Sequence, residues 1–222
     1  MLSIPPKRTD RALVTFLDRD EIDALLAAPD RSTWTGRRDH ALLLLAIQTG
    51  LRASEITTLS VVDIHLRGAA HVTCEGKGRK QRITPLTRTT AAVLRVWLDE
   101  RAGRPGDPLF PTPRGRRLSR DGLERRLALH AANAAERQPS LKAKNVTLHT
   151  LRHTAAMQLL HAGIDTTVIA LWLGHERVET TQIYLHADLA LKEKALARTK
   201  PPDAKPGRYR PPDTLLAFLE AL

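Results

Sequence analysis

The feature that most constrains this chain is the unbroken apolar run Ala41-Leu42-Leu43-Leu44-Leu45-Ala46-Ile47. Consecutive apolar residues cannot all lie on one stripe of a helix, so a helix that carries them is buried on most of its sides. The run is also far shorter than the roughly 20 residues needed to cross a bilayer. It therefore predicts a central helix over Arg37–Thr49, ended by Gly50, with other elements packed around it. With 222 residues, 42% of them hydrophobic, the chain has the material for such a core.

Local signals place the remaining elements. Asp18 followed by Glu21 spells a capping box, and Ile22, Leu25 and Leu26 continue a helix to Ala28. Residues 1–17 read as a basic, proline-bearing lead-in, and a short helix is expected at Ala53–Leu59. Val61–Leu66, Ala70–Glu75 and Gln81–Pro85 read as three strands of a small antiparallel sheet. Helices are predicted at Thr89–Arg101, Ser119–Arg137 and Leu148–Ala162, then from Asp165 through Leu173, and at Arg177–Tyr184 and Ala187–Arg198. Gly103–Arg117 and the stretch before Leu148 read as loops. Lys200–Pro212 holds five prolines and reads as an extended tether to an amphipathic helix, Asp213–Leu222. Its apolar set is Leu215, Leu216, Phe218, Leu219 and Leu222, and so short a helix needs a surface to pack on, its own or a neighbour's. The fold class expected is mixed α+β, mostly α-helical, with one three-stranded antiparallel sheet.

Charge narrows the partner. Thirty-five Lys and Arg against 24 acids leave a net +11, which implies a polyanion, most often nucleic acid, although a basic surface alone is the plainer explanation. Cys74 is the sole cysteine, so an internal disulfide is excluded and a reducing cytoplasm is expected. Pro5 and Pro6 interrupt the place where an export signal would need apolar residues, and no membrane association is expected.

Four stretches carry chemistry-bearing side chains. Thr49-Gly50-Leu51-Arg52-Ala53-Ser54-Glu55-Ile56 puts Arg52 at a helix junction, where a guanidinium can meet a phosphate or simply pair with Glu55. Gly76-Lys77-Gly78-Arg79-Lys80-Gln81-Arg82 is a hairpin tip, able to project Lys77 into a groove or to be only a solvated turn. His149-Thr150-Leu151-Arg152-His153 puts His149 and Arg152 on one face near a helix start, which favours anions. The spacing of His149 and His153 would also suit zinc, but Thr150 stands where the zinc-protease motif needs Glu and no third ligand is evident. Leu173-Gly174-His175, with Tyr184 nine residues on, has the bland reading of a cap and a packed aromatic.

As an ordered set these stretches resemble the tyrosine recombinase, or phage integrase, family. Arg52, Lys77, His149, Arg152, His175 and Tyr184 match its Arg, Lys, His-x-x-Arg, His and Tyr in chain order, within Thr-Gly-Leu-Arg-x-Ser-Glu, His-x-Leu-Arg-His-Thr, Leu-Gly-His and Thr-Thr-Gln-Ile-Tyr. The resemblance runs from about Leu13 to Arg198 and implies a catalytic domain over 18–199 that cuts and rejoins double-stranded DNA. It implies that Tyr184 forms a 3′-phosphotyrosyl link without metal, nucleotide or other cofactor. Arg52 and Arg152 would neutralise the phosphate, His175 would donate to it, His149 would act as base and Lys77 as general acid. Glu55 would orient a basic residue or merely cap its helix, and His153 would pack behind Arg152. Arg79, Lys80, Arg82, Arg114, Arg116 and Arg117 would line the DNA backbone. Tyr209, in the tether, lacks the motif context. The family usually places a helical core-binding domain ahead of the catalytic one, and with about 17 residues before the first helix that domain is expected to be absent. The terminal helix resembles the device by which family members join neighbours, so a homo-oligomer on DNA is expected. An integrase, a Xer-like resolvase and a transposon enzyme of a mobile element all fit. A type IB topoisomerase and a DNA-binding regulator that no longer cuts are the alternatives.

Overall fold

Capping chemistry sets the ends of the helices in the computed structural model, which describes residues 14–76, 81–175 and Thr181. Asp18 caps α1 (Arg19–Ala27): its carboxylate accepts the Glu21 N–H at 2.9 Å, and the Glu21 carboxylate accepts the Asp18 N–H at 2.9 Å. Thr33 accepts the Gly36 N–H at 3.0 Å and so starts α2 (Trp34–Thr49) ahead of the predicted Arg37. Gly50 ends α2 in the left-handed region, at φ 64°. The apolar run does what its pattern predicts: all but Leu44 of Ala41–Ile47 are at most 3% exposed, and α2 packs against α1, α4 and α6.

After α3 (Ala53–Thr58) the chain departs from expectation. Val61–Leu66 is not a six-residue strand; Val61–Asp63 is a 3-10 turn and β1 is only Ile64–His65. The reason is local competition for backbone donors. The Asp63 carboxylate accepts the Ser60 N–H at 2.7 Å, while the Val61 and Val62 N–H groups go to the Asp107 and Pro105 carbonyls at 3.0 and 2.9 Å. β2 (His71–Glu75) and β3 (Gln81–Pro85) complete an antiparallel sheet of order β1-β2-β3. Its register pairs Val72 with Thr84 and Cys74 with Arg82. Those four side chains share one face, because directly opposed residues point the same way. Val72, Cys74 and Thr84 are buried there, while Ile83 on the other face is 64% exposed.

The rest is helical: α4 (Arg88–Arg101), α5 (Arg120–Arg137), α6 (Leu148–His161) and α7 (Thr166–Leu173), capped by Thr87, Ser119, Thr147 and Asp165. Two buried carboxylates join elements in ways the sequence did not announce. Asp39 of α2 accepts from Arg38 at 2.7 Å, Arg126 at 2.6 Å and His130 at 2.8 Å, and so ties α2 to α5. Burial pushes its carboxyl up, but His130, Arg38 and Arg126 together hold it below the usual range. Glu21, beyond its capping role, accepts from Lys144 at 2.6 Å and Ser140 at 2.7 Å. Ser140 lies within, and Lys144 caps, a 3-10 turn, Pro139–Ala143, in what reads from sequence as a polar loop.

The described residues belong to a unit spanning Met1–Ala187, and a second unit covers Asp188–Leu222. The helices predicted at Arg177–Tyr184, Ala187–Arg198 and Asp213–Leu222 lie outside the described residues, as do the lead-in over residues 1–13 and the tether. Among the described residues no helix is long and apolar enough to cross a membrane.

Candidate active site

Two helix ends build the site. α2 stops at Gly50 and α7 at Gly174, both at φ 64°, and a helix terminus leaves carbonyls without partners inside the helix. Arg152, on α6, takes up two of these: Nη1 donates to the Gly50 carbonyl at 2.7 Å and Nη2 to the Leu173 carbonyl at 2.6 Å. Arg52, the N-cap of α3, donates from Nη2 to the Gly174 carbonyl at 2.9 Å. The guanidiniums are thereby aimed by the carbonyls of helices far apart in sequence. Glycine is favoured at both ends because φ 64° strains any L side chain. An added Cβ on Gly50 would lie 2.7 Å from Leu173 Cδ2, and one on Gly174 would lie 2.6 Å from Arg82 Nη1.

Glu55 performs both jobs left open by the sequence. One carboxylate oxygen accepts the Arg52 backbone N–H at 2.7 Å, as a helix cap would, and the other accepts Arg52 Nη1 at 2.9 Å. The carboxylate is buried, whereas the Arg52 side chain stays 39% exposed.

His175 follows the Gly174 cap, and its Nδ1 is 2.8 Å from the hydroxyl of Thr181. When that hydroxyl donates, the ring proton sits on Nε2, which is then a donor. Burial, reinforced by the charges of Arg152, Arg52 and Arg82, lowers the pKa of His175 to about 4. The ring is therefore a neutral hydrogen-bond donor at pH 7. His153 is lowered to about 4 as well, by burial and then by His149 and Arg152. His149 is exposed, its ring edge-on to His153 at 4.1 Å between centroids.

Arg52, His149 and Arg152 line a cleft of about 600 Å³ that continues past Arg120, Asn145 and Thr147. The N-terminal turns of α5 and α6 border it, so helix dipoles add to the cationic side chains and the cleft suits an anion. Arg120 and Asn145 were not anticipated. Arg120 could have been found as the first helical residue after the basic loop; nothing in the sequence singles out Asn145.

Lys77, Arg79, Lys80 and Tyr184 lie outside the described residues. Arg114 and Arg116 are exposed on the loop before α5. Two of the arginines expected along DNA are otherwise engaged. Arg117 caps the end of α3, with Nη1 donating to the Thr58 carbonyl at 2.6 Å and Nη2 to Ser60 Oγ at 2.8 Å. Arg82 is turned inward: its side chain is 10% exposed and Nη2 donates to Glu55 at 2.8 Å. The sheet register, which puts Arg82 beside Cys74, is the physical reason.

Comparison with known proteins establishes the family. The model of the phage integrase family matches residues 15–190. The chain is 59% identical over 222 residues to a putative integrase/recombinase, y4rC, of Sinorhizobium fredii, covering all of this chain and 67% of that protein. It is 35% identical over 206 residues to tyrosine recombinase XerD of Pseudomonas putida, covering 90% of this chain and 66% of that one. The chain thus spans about two thirds of the length of these relatives. A crystal structure of XerH site-specific recombinase bound to a palindromic difH substrate, a post-cleavage complex, superposes with a TM-score of 0.70 at 27% identity, covering 84% of this chain and 53% of that one. With a family match over most of its length and relatives of this closeness, the chain belongs to the phage integrase family, the tyrosine recombinases.

Proposed function

We propose that this chain is a site-specific DNA strand transferase that cuts and reseals one strand through a covalent bond to Tyr184. The observation that carries the reading is the convergence of Arg52 and Arg152 on the carbonyls of two helix ends, one of them followed directly by His175, beside an anion-suited cleft. A phosphodiester repels nucleophiles through its non-bridging oxygens. Two fixed guanidiniums and a neutral imidazole N–H offset that charge as it grows in the transition state. The Tyr184 phenol oxygen attacks phosphorus as its proton passes to a base, for which His149 is the candidate. The P–O5′ bond breaks, and Lys77 gives the leaving oxygen its proton. The phosphodiester energy stays in the phosphotyrosyl bond until a 5′-hydroxyl displaces the tyrosine, so the transfer consumes no nucleotide.

The partner in this reading is double-stranded DNA in the cytoplasm, held along its backbone by Arg114, Arg116 and Arg120 and by Arg79 and Lys80 of the hairpin. We also infer that protomers assemble on DNA through the amphipathic segment Asp213–Leu222. Val168 and Leu171, exposed on α7, and Ile164, just before its cap, are apolar residues available to receive it.

The test is to incubate the protein with nicked duplexes carrying candidate sites and to look for a denaturation-resistant protein–DNA adduct. The adduct is expected with the wild type and absent from Tyr184→Phe. No adduct at any site, or one that survives that substitution, would overturn the reading.

A further inference from the structure

Arg82 is on the wrong side of its strand for a DNA contact. Register places it opposite Cys74 on the inward face of the sheet, between buried Val72, Cys74 and Thr84 and the end of α7. The side chain is nine-tenths buried; among the described residues Nη2 donates to Glu55 at 2.8 Å, and the guanidinium also sits against the Cys74 thiol. Nε and Nη1 are buried without a partner among the described residues. Unmet buried donors cost on the order of 1–3 kcal/mol each, and an apolar side chain of similar length would fill the space without that cost. A guanidinium in such a place is explained by what its charge does to its neighbours.

Its neighbour is the carboxylate that also holds Arg52. Glu55 is 3% exposed, and its two oxygens are divided: one takes Arg52 Nη1 at 2.9 Å, the other Arg82 Nη2 at 2.8 Å. One negative charge shared by two guanidiniums leaves a net positive charge at the cleft. The oxygen that takes Arg82 also accepts the Arg52 backbone N–H at 2.7 Å; were Arg82 absent, its remaining lone pair would be open to the Arg52 guanidinium, and a two-point guanidinium–carboxylate pair would be neutral and self-satisfied. Arg52 would then be drawn off the Gly174 carbonyl and offer less to an incoming phosphate. Arg82 also packs close to Gly174, the residue before His175, so its bulk supports the turn that carries the imidazole.

We propose that Arg82 is a positioning residue of the candidate active site, sharing Glu55 with Arg52 so that Arg52 stays oriented and positively charged toward the cleft. The proposal rests on the strand-transfer reading above.

Arg82→Met and Arg82→Lys test it, each made in the wild type and in an Arg52→Lys background. Cleavage of a nicked substrate is followed in single turnover with DNA saturated. Arg82→Met is expected to slow cleavage by roughly 10–100-fold while DNA affinity and its salt dependence stay unchanged. Arg82→Lys should recover most of the rate, and in the Arg52→Lys background Arg82→Met should cost no more than about threefold. Equal losses in both backgrounds would mean that Arg82 only supports the fold, and would overturn the proposal. So would weaker binding with unchanged saturated cleavage and a salt slope reduced by about 1, the signature of a phosphate contact. Nitrogen-15 NMR of the DNA-free protein gives a readout independent of chemistry. Rotation of the Arg52 guanidinium is expected to be slow in the wild type and altered in Arg82→Met, and an unchanged signal overturns the proposal. A wild type that forms no adduct yet shows the NMR change would sink the strand-transfer reading and leave the coupling of Arg82 to Arg52 standing.

Discussion

Gly50, Gly174 and the two histidines near α7 show how individual residues set the chemistry. The glycines supply the left-handed turns at the two helix ends and let them approach Leu173 and Arg82 closely. The histidines are then buried against fixed positive charge, and this has a consequence for stability. His153 and His175 have folded-state pKa values of about 4 against an ordinary 6.5. Between those values the unfolded chain binds more protons, so stability is full above about 6.5 and is lost as pH falls toward 4. Both rings are partly accessible, so solvent screening reduces the effect to about 1–2 kcal/mol per ring. Urea unfolding measured from pH 7 to pH 4 should show that decline, and His153→Gln should flatten it. An equal decline in the variant would show that His153 contributes nothing. His175 was legible as a motif residue; its neutrality was not, because burial and the nearby guanidiniums come from other elements.

At the scale of elements, helix boundaries were legible because caps act within four residues of themselves. Asp18, Thr87, Ser119, Thr147 and Asp165 each accept a backbone N–H of their own helix. The strand predicted at Val61–Leu66 was misread because its donors are claimed by Asp107 and Pro105, residues no local pattern could connect to it. Arg117 makes the same point for a side chain. It was grouped with Arg114 and Arg116 by composition, but its guanidinium closes the carbonyl end of α3, the helix whose start presents Arg52. Arg117→Ala is therefore expected to cost about 1 kcal/mol in unfolding measurements without changing the salt dependence of DNA binding. Arg116→Ala should do the reverse, reducing the slope of log K against log salt by about 1. Identical behaviour of the two variants would refute the distinction.

For the molecule as a whole, a net charge of +11 accounts for attraction to DNA but not for assembly upon it. For the proposed assembly, the relevant features are the exposed apolar residues Val168 and Leu171 of α7, Ile164 just before it, and the amphipathic pattern of Asp213–Leu222. Leu171→Glu should leave single-site DNA binding within about threefold of wild type and abolish complexes of higher stoichiometry in sedimentation runs on paired sites. Unaltered stoichiometry would remove α7 from the interface. What the sequence by itself determined is whatever depends on neighbours in the chain: the buried α2, the caps, the order of motif residues and the family they signal. What only the tertiary structure decided is the employment of each arginine. A guanidinium follows whichever carboxylates and carbonyls the fold brings to it, and those of Arg52, Arg82, Arg117 and Arg152 are supplied largely by distant segments.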